Sequence, residues 1–246
     1  MFNIYTLGRK LKQSNLGGLR RLINMCYYDP KTLIIHKDNF DSLTVDGYVF
    51  PNSDQIDSVQ RVIGNSWFNN VKSTDIVLDI GANTGAITIP LAHMADRGIT
   101  YAVEPIFTDL LKKTIDINGL ANIVILPFAL GRKNGHKFIS FGTHNGMANT
   151  RTFAQIKDLC GGHIDYFKCD CEGAEWDIEL EDLVGIRELR FEFHIRRSNE
   201  QADRATLQKW YRWLDKNGYK YVISYGDEPG PCVPFSQCLL LNASRK

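Results

Sequence analysis

The chain is short of net charge. Its 29 lysines and arginines stand against 28 aspartates and glutamates, a formal +1 at neutral pH, so nothing drives the whole molecule towards a polyanion such as nucleic acid. It also lacks any apolar run near the ~20 residues of a membrane-spanning helix and any opening stretch laid out as a secretory signal. The six cysteines, at 26, 160, 169, 171, 232 and 238, have no spacing that pairs into a zinc knuckle. Cys169 and Cys171 alternate within one expected strand, where they share a face but bridge each other poorly. A reduced, cytoplasmic protein is the expectation. Internal repeats and low-complexity segments are absent too. What remains, in 246 residues, is enough chain for one sizeable α/β core.

A further absence is more specific. The run Val77–Ala92, "VLDIGANTGAITIPLA", reads as a buried strand, a glycine turn and a helix start. A dinucleotide fingerprint there needs Gly-x-Gly-x-x-Gly so that backbone can touch a pyrophosphate. Here Asn83 and Ala86 occupy the second and third glycine positions, which favours S-adenosylmethionine (SAM), a cofactor without a pyrophosphate. Ile76–Ile80 is apolar on both faces, as a central parallel strand requires, except for Asp79. A carboxylate in such a strand must be paired or reach a polar ligand. Gly81 and Gly85 permit a tight turn and close approach of backbone to ligand. Asn83 or Thr84 can cap the following helix, and Pro90 within it should kink or break it. After a second apolar strand, "ITYAV", Glu104 is placed to accept ribose hydroxyls.

Residues 1–31 differ locally. Arg9, Lys10, Lys12, Arg20, Arg21 and Lys31 face a single acid, Asp29, and Leu19, Leu22, Ile23 and Cys26 fall at helical spacing. The segment reads as a helix packed on the domain or a partner subunit, which allows a homodimer, or as a weak peripheral contact with a membrane surface or a polyanion. The expected division is a basic segment with a small β-hairpin over 1–50, its strands at 31–36 and 43–50, and a main domain over 51–246.

In the main domain a helix is expected over 55–71. Core strands are expected near 76–80, 99–104, 122–127, 164–169, 187–193, 219–225 and 236–242, with helices near 84–96, 107–118, 152–160, 175–183 and 201–217. Alternation of strand and helix implies a parallel sheet with right-handed crossovers. The loop "GDEPGPCVP" is too short for a crossover, so the last two strands should pair antiparallel. This is a Rossmann-like, three-layer α/β/α architecture, a seven-stranded and mostly parallel sheet ending in an antiparallel hairpin, the layout of class I methyltransferases.

A second constellation lies in "IDYFKCDCEGAEW", 164–176, where Asp170, Glu172 and Glu175 crowd the end of the fourth core strand. In the next strand, "ELRFEFHI", Glu192 and His194 share a face at period two. Both strand ends point at the cleft holding Gly81. Carboxylates and an imidazole facing a cofactor suit removal of a proton from an acceptor hydroxyl; His194 and Asp170 are the alternative bases. The same oxygens could take a divalent cation such as Mg²⁺, although no metal is expected to be required. Plainer readings stand beside these: Glu175 as a helix N-terminal charge, Glu192 paired with Arg190 or Arg196, His194 as a hydrogen-bonded strand end.

The segments "VLDIGANTG", "VEP" followed by "IDINGLANI", "FKCDCEGAEW" and "LRFEFH" resemble the FkbM family of SAM-dependent methyltransferases over about residues 40–225. The resemblance implies O-methylation of a hydroxyl on a small molecule or a sugar. It implies that Asp79, Gly81, Ala82, Asn83 and Gly85 form the methionine and ribose side of the cofactor site, that Glu104 binds the ribose, and that Pro105 and Ile106 line the adenine. Phe128 and Ala129 would place backbone and an apolar wall at the adenine, and Asp170 is a further expected cofactor contact. Asn118 matches an asparagine of the family. Cys171 stands where the family has an aliphatic residue, and the stretch 131–163, with "FGTHNGMANT", departs from the pattern, which leaves the acceptor open.

Trp67, Phe68, His144, Asn145 and Trp176 are candidate acceptor contacts, since aromatics beside polar groups suit a sugar face; core packing for the aromatics and a plain turn for His144 and Asn145 are the alternatives. Two rival functions remain, a SAM-dependent enzyme acting on nucleic acid and a SAM-binding protein without catalysis. The first is disfavoured by the neutral charge and the lack of a basic, aromatic-interleaved groove. The second is disfavoured by the intact Asp170, Glu172 and His194.

Overall fold

The computed structural model describes residues 33–34, 42–45, 47–51, 66–225 and 235–245. The chain divides into two compact units, Met1–Ile63 and Gly64–Lys246. The basic stripe of residues 1–31 and most of the helix expected over 55–71 lie outside the described residues; Ser66–Phe68 is a single 3-10 turn.

In the first unit, strands β1 (Leu33–Ile34), β2 (Ser42–Val45) and β3 (Tyr48–Pro51) form an antiparallel sheet in that order. The hairpin expected between 31–36 and 43–50 is therefore shifted. "LTVDGYVF" is itself a hairpin that turns at Gly47, whose φ of 85° suits the Asp-Gly turn signal.

The second unit is built on seven strands: β4 (Ile76–Ile80), β5 (Ile99–Val103), β6 (Ile123–Leu126), β10 (Tyr166–Cys169), β11 (Glu188–Arg196), β12 (Lys220–Tyr225) and β13 (Phe235–Ser244). Their order is β12-β13-β11-β10-β4-β5-β6. The inner pairs run parallel, while β13 runs antiparallel to both β11 and β12. The order reverses between β4 and β10, so the carboxyl ends of these two strands open the crevice in which such sheets bind ligands.

Helices α1 (Thr88–Met94), α2 (Thr108–Asn118), α3 (Phe153–Leu159) and α4 (Glu200–Lys216) supply the crossovers. Expected boundaries agree for α2, α3 and α4 to within a residue. Helix α1 starts four residues later than expected. Pro90 then falls in its first turn, where an N–H would have no intrahelical partner, so it neither kinks nor breaks the helix.

Three strands went unforeseen. β7 (Ala129–Leu130), β8 (Gly135–Phe141) and β9 (His144–Arg151) form a separate sheet in the order β7-β9-β8. "HNGMANTR" has neither β-branched residues at alternate positions nor apolar alternation, so nothing marked it as a strand. The helix expected over 175–183 is two 3-10 turns, Ala174–Asp177 and Leu180–Leu183, separated by extended backbone.

The core is aromatic. Phe167 lies between Phe153 at 4.8 Å and Phe191 at 5.0 Å, and Trp210 packs edge-on against Phe191 and Phe193, at 4.9 Å from each. Such pairs add about 0.5–1.5 kcal/mol each beyond burial. They anchor β10 and β11, the two strands that carry the acidic constellation.

Candidate active site

The turn after β4 is shaped by packing. A Cβ on Gly81 would stand 1.7 Å from the Asp170 carbonyl oxygen, so only glycine lets the ends of β4 and β10 meet. Its φ of 80° adds a second requirement. Asp79 is fully buried and held from within the chain, although its Oδ1 makes an ion pair without hydrogen-bond geometry. Its Oδ1 pairs with Lys168 Nζ at 2.9 Å, and its Oδ2 accepts from Thr88 Oγ1 at 2.6 Å. Lys168 sits opposite Asp79 on β10 and also donates to the Gly81 carbonyl at 2.8 Å. Asp79, expected among the cofactor contacts, thus acts on the turn through Lys168. The strand's odd lysine, buried among Tyr166, Phe167 and Cys169, was the overlooked signal. Burial alone would lower the Lys168 pKa; the charges of Asp79 and Asp170 and the Asp79 hydrogen bond together outweigh it and raise it instead.

Glu104 accepts three backbone N–H groups: Asn83 on Oε2 at 2.7 Å, and Ile106 and Phe107 on Oε1 at 2.7 and 2.9 Å. One carboxylate therefore ties the turn after β4 to the turn after β5. Burial pushes its pKa up against those hydrogen bonds. Among the described residues, the buried Asn83 Oδ1 and Thr84 Oγ1 have no hydrogen-bond partner. Orphaned acceptors beside a shared carboxylate are what a hydroxylated, amino-acid-bearing cofactor would satisfy, so the residues fit SAM. Ala82 is buried on the same turn, and Pro105 and Ile106 are half-buried. Ala129 opens β7, and Phe128 lies under the Arg151 guanidinium, 5.9 Å from its ring centre.

The acidic constellation gathers on one imidazole. His194 Nε2 lies 3.5 Å from Glu172 Oε2, 3.6 Å from Glu192 Oε1 and 3.9 Å from Asp170 Oδ1. Its Nδ1–H donates to Glu175 Oε1 at 2.9 Å, and its backbone N–H donates to the same oxygen at 2.6 Å. Glu175, expected as a helix N-terminal charge, is instead fully buried and also accepts from the Gly173 N–H at 2.8 Å. Glu192 does not pair with either arginine expected for it: Arg190 pairs with Glu188 and Arg196 with Asp203. Cys238, opposite His194 on β13, completes the cluster and was not foreseen.

Burial opposes charge on His194. The hydrogen bonds of Cys238 and Glu175, with the charges of Glu175 and Asp170, outweigh it and raise the imidazole pKa well above the ordinary histidine value. The raised pKa favours the charged, imidazolium form of His194. Glu172 and Glu192 are pushed up to about 7, first by burial and then by neighbouring carboxylates, with the His194 charge opposing. The groups Asp170, Glu172, His194 and Glu192, His194, Cys238 each bring ligand atoms close enough for a divalent cation.

The candidate acceptor residues separate. Trp176 is buried, stacks near Phe193 at 4.8 Å and donates its indole N–H to the His194 carbonyl at 2.9 Å; it is a core residue that pins His194. Trp67 is buried too, its carbonyl accepting from the Tyr166 hydroxyl, while Phe68 is half-buried. His144 packs on Phe107, 4.8 Å between ring centres, beside the Glu104 anchor. Asn145 is exposed at the neighbouring position of β9. Asn118, at the end of α2, donates to the Thr114 carbonyl at 2.7 Å.

No family model matches the chain. A stretch of 57 residues is 35% identical to a protein of Methanosphaera stadtmanae described as a probable ribosomal RNA small subunit methyltransferase A, and spans 23% of this chain but only 21% of that protein. Among solved structures, the fold is similar to that of a protein of Pyrococcus horikoshii described as a transferase, at 10% identity over 82% of this chain and 70% of the other, with a TM-score of 0.50. Methyltransferase FkbM of Methylobacillus flagellatus aligns at 16% identity over 74% of this chain and 47% of its own, with a TM-score of 0.49. The fold of this chain is Rossmann-like, a mostly parallel seven-stranded sheet that ends in an antiparallel hairpin.

Proposed function

We propose that this chain is a SAM-dependent O-methyltransferase, of the kind the FkbM resemblance implies, that acts on a hydroxyl of a small molecule or glycan. The observation that carries the reading is the junction of two sites at the ends of β4 and β10. On one side lies a turn closed by Glu104 with orphaned Asn83 and Thr84 acceptors; on the other, three carboxylates surround an imidazolium.

Asn83, Thr84, Glu104 and the Gly81–Ala82 backbone would hold the cofactor, with Ile106 and Phe128 against the adenine. Bound there, SAM supplies an electrophilic methyl group on a sulfonium. An acceptor oxygen must lose its proton to become a good nucleophile for that carbon, and a base works best with a pKa near the working pH. Glu172 and Glu192, held at about 7, meet that condition, and Glu172 is the more open of the two at 41% side-chain exposure. Glu172 takes the proton. His194 stays charged, holds Asp170, Glu172 and Glu192 in place, and is itself fixed by Glu175 and Trp176. The mechanism needs no metal ion.

A nucleic-acid acceptor is the second reading. The 57-residue match to a protein described as an rRNA methyltransferase supports it, and so does the composition of the β8–β9 hairpin, taken up below. The test is transfer from methyl-labelled SAM to hydroxylated acceptors, with the product linkage read by mass spectrometry. A methyl ether, formed much more slowly by Glu172→Gln, is the expected product. A methylated nitrogen or carbon, or full activity in Glu172→Gln, would overturn the assignment.

A further inference from the structure

The β7-β9-β8 sheet takes no part in the proposed chemistry, yet it presents an unusual surface. From Ile117 to Lys157 the sequence contains no aspartate or glutamate, while Arg132, Lys133, Lys137, Arg151 and Lys157 all fall within it. In a molecule of formal charge +1, this is a strong local segregation. The pairing of β8 with β9 sets Phe138 opposite Met147, His136 opposite Asn149 and Ser140 opposite Asn145. These alternate positions lie on one face of the hairpin and are all exposed. Phe138 is 60% and Met147 67% exposed, large apolar groups that a free surface does not favour.

The hairpin is also anchored beside the candidate active site. At its tip, Phe141 and His144 pack edge-on against Phe107, whose N–H is held by Glu104. At its base, Arg132 in the turn before β8 lies 3.5 Å from Asp177, in the 3-10 turn that carries Glu175.

We infer that the outer face of the β8–β9 hairpin is a docking surface for single-stranded RNA. A base has a flat π-face to stack on Phe138 with Met147 beside it, and edges that Asn145, Asn149 and His136 can hydrogen-bond. Lys133 and Arg151 flank the face and Lys137 lies on the reverse side of the same strand; the hairpin's own sequence brings no carboxylate to repel phosphates, and Asp177 at its base is paired with Arg132. The missing carboxylates are also what separates this surface from a neutral-sugar site, where acidic side chains are the strongest acceptors for paired hydroxyls. The hairpin's service as a substrate surface rests on the second, nucleic-acid reading of the acceptor above, but binding does not, so the test reads binding alone.

The full chain is titrated into a fluorescein-labelled, mixed-sequence 20-nucleotide single-stranded RNA, with anisotropy followed at several salt concentrations. Saturable binding whose log affinity falls linearly with log salt is expected. Phe138→Ala should weaken it roughly tenfold at every salt concentration. Lys133→Ala with Lys137→Ala should weaken it and flatten the salt slope by about one to two. Both sets of side chains lie at the surface, so thermal melting should match the unaltered protein, and Asn145→Ala with Asn149→Ala gives a second test of the same face. Absence of binding at low salt overturns the proposal. So does binding insensitive to all three variants, or equal competition by heparin and RNA with no dependence on Phe138, which would mark a general polyanion contact. Failure here leaves SAM binding and methyl transfer untouched, since none of these residues holds the cofactor or the proton.

Discussion

Asp79 and Lys168 face each other across adjacent parallel strands and form a 2.9 Å ion pair in which both side chains are buried. The pair lies directly beneath the turn that carries Gly81, and Lys168 donates to that turn's carbonyl. Breaking it leaves an uncompensated buried charge, which costs about 3–5 kcal/mol. Lys168→Met should therefore lower unfolding stability in urea by that order and weaken SAM binding by disordering the Gly81 turn. Asp79→Asn with Lys168→Met together should recover part of the stability. Equal losses in single and double variants would contradict the pairing.

Gly81 and Gly85 should respond differently to alanine. At Gly81 the added carbon meets the Asp170 backbone at 1.7 Å, and neither strand end can yield; at Gly85 the nearest atom, 3.0 Å away, is the mobile end of the Leu111 side chain. Both positions have positive φ, which costs alanine about 1 kcal/mol or more. Gly81→Ala should therefore be the more damaging by several kcal/mol, judged by thermal melting of the two variants.

Glu175 should act through His194. Glu175→Gln keeps the shape but removes the buried charge that holds the imidazolium, so the His194 pKa should fall. The drop should appear in the NMR titration of its ring carbons and in a shifted pH profile of turnover, with little change in KM. An unmoved histidine titration would contradict the positioning role.

Stability should decline as pH rises through neutrality. Glu172 and Glu192 have folded-state pKa values of about 7, raised from an ordinary 4.5. The folded chain therefore holds protons that the unfolded chain releases, and this contribution, complete below pH 4.5, is lost as pH rises through about 7. Tm should fall between pH 5 and pH 8, and Glu192→Gln should reduce the fall. Activity should move the opposite way, rising as the base deprotonates.

Much of the fold could be read from periodicity. β4, with apolar residues on both faces, and α4, with one buried stripe, were placed closely because local pattern and tertiary environment agree. β8 and β9 carry no readable alternation because Phe138 and Met147 point outward, while the opposite face mixes Lys137 and Ile139 with Gly146 and Ala148. At the site, the spacing of Asp170, Glu172, Glu192 and His194 announced a cluster. The sequence could not reveal that Glu175 turns inward, since that follows from the backbone at Gly173, with φ of 98°. Nor could it reveal that Asp79 spends its charge on Lys168, a contact fixed only by strand order. Trp176 misled for a related reason: an aromatic beside acids looks like a binding wall until its indole is seen bonded to a strand carbonyl.

The turn joining Gly81, Asn83 and Glu104 is proposed to be a SAM pocket. Calorimetric titration of the whole chain with SAM, with NAD as control and with Mg²⁺ present and absent, tests it most directly. Micromolar binding of SAM is expected, with no binding of NAD, no dependence on Mg²⁺ and a loss of at least about tenfold in affinity for Glu104→Gln in a chain that still melts cooperatively. Binding of NAD, or no heat with SAM, would contradict it.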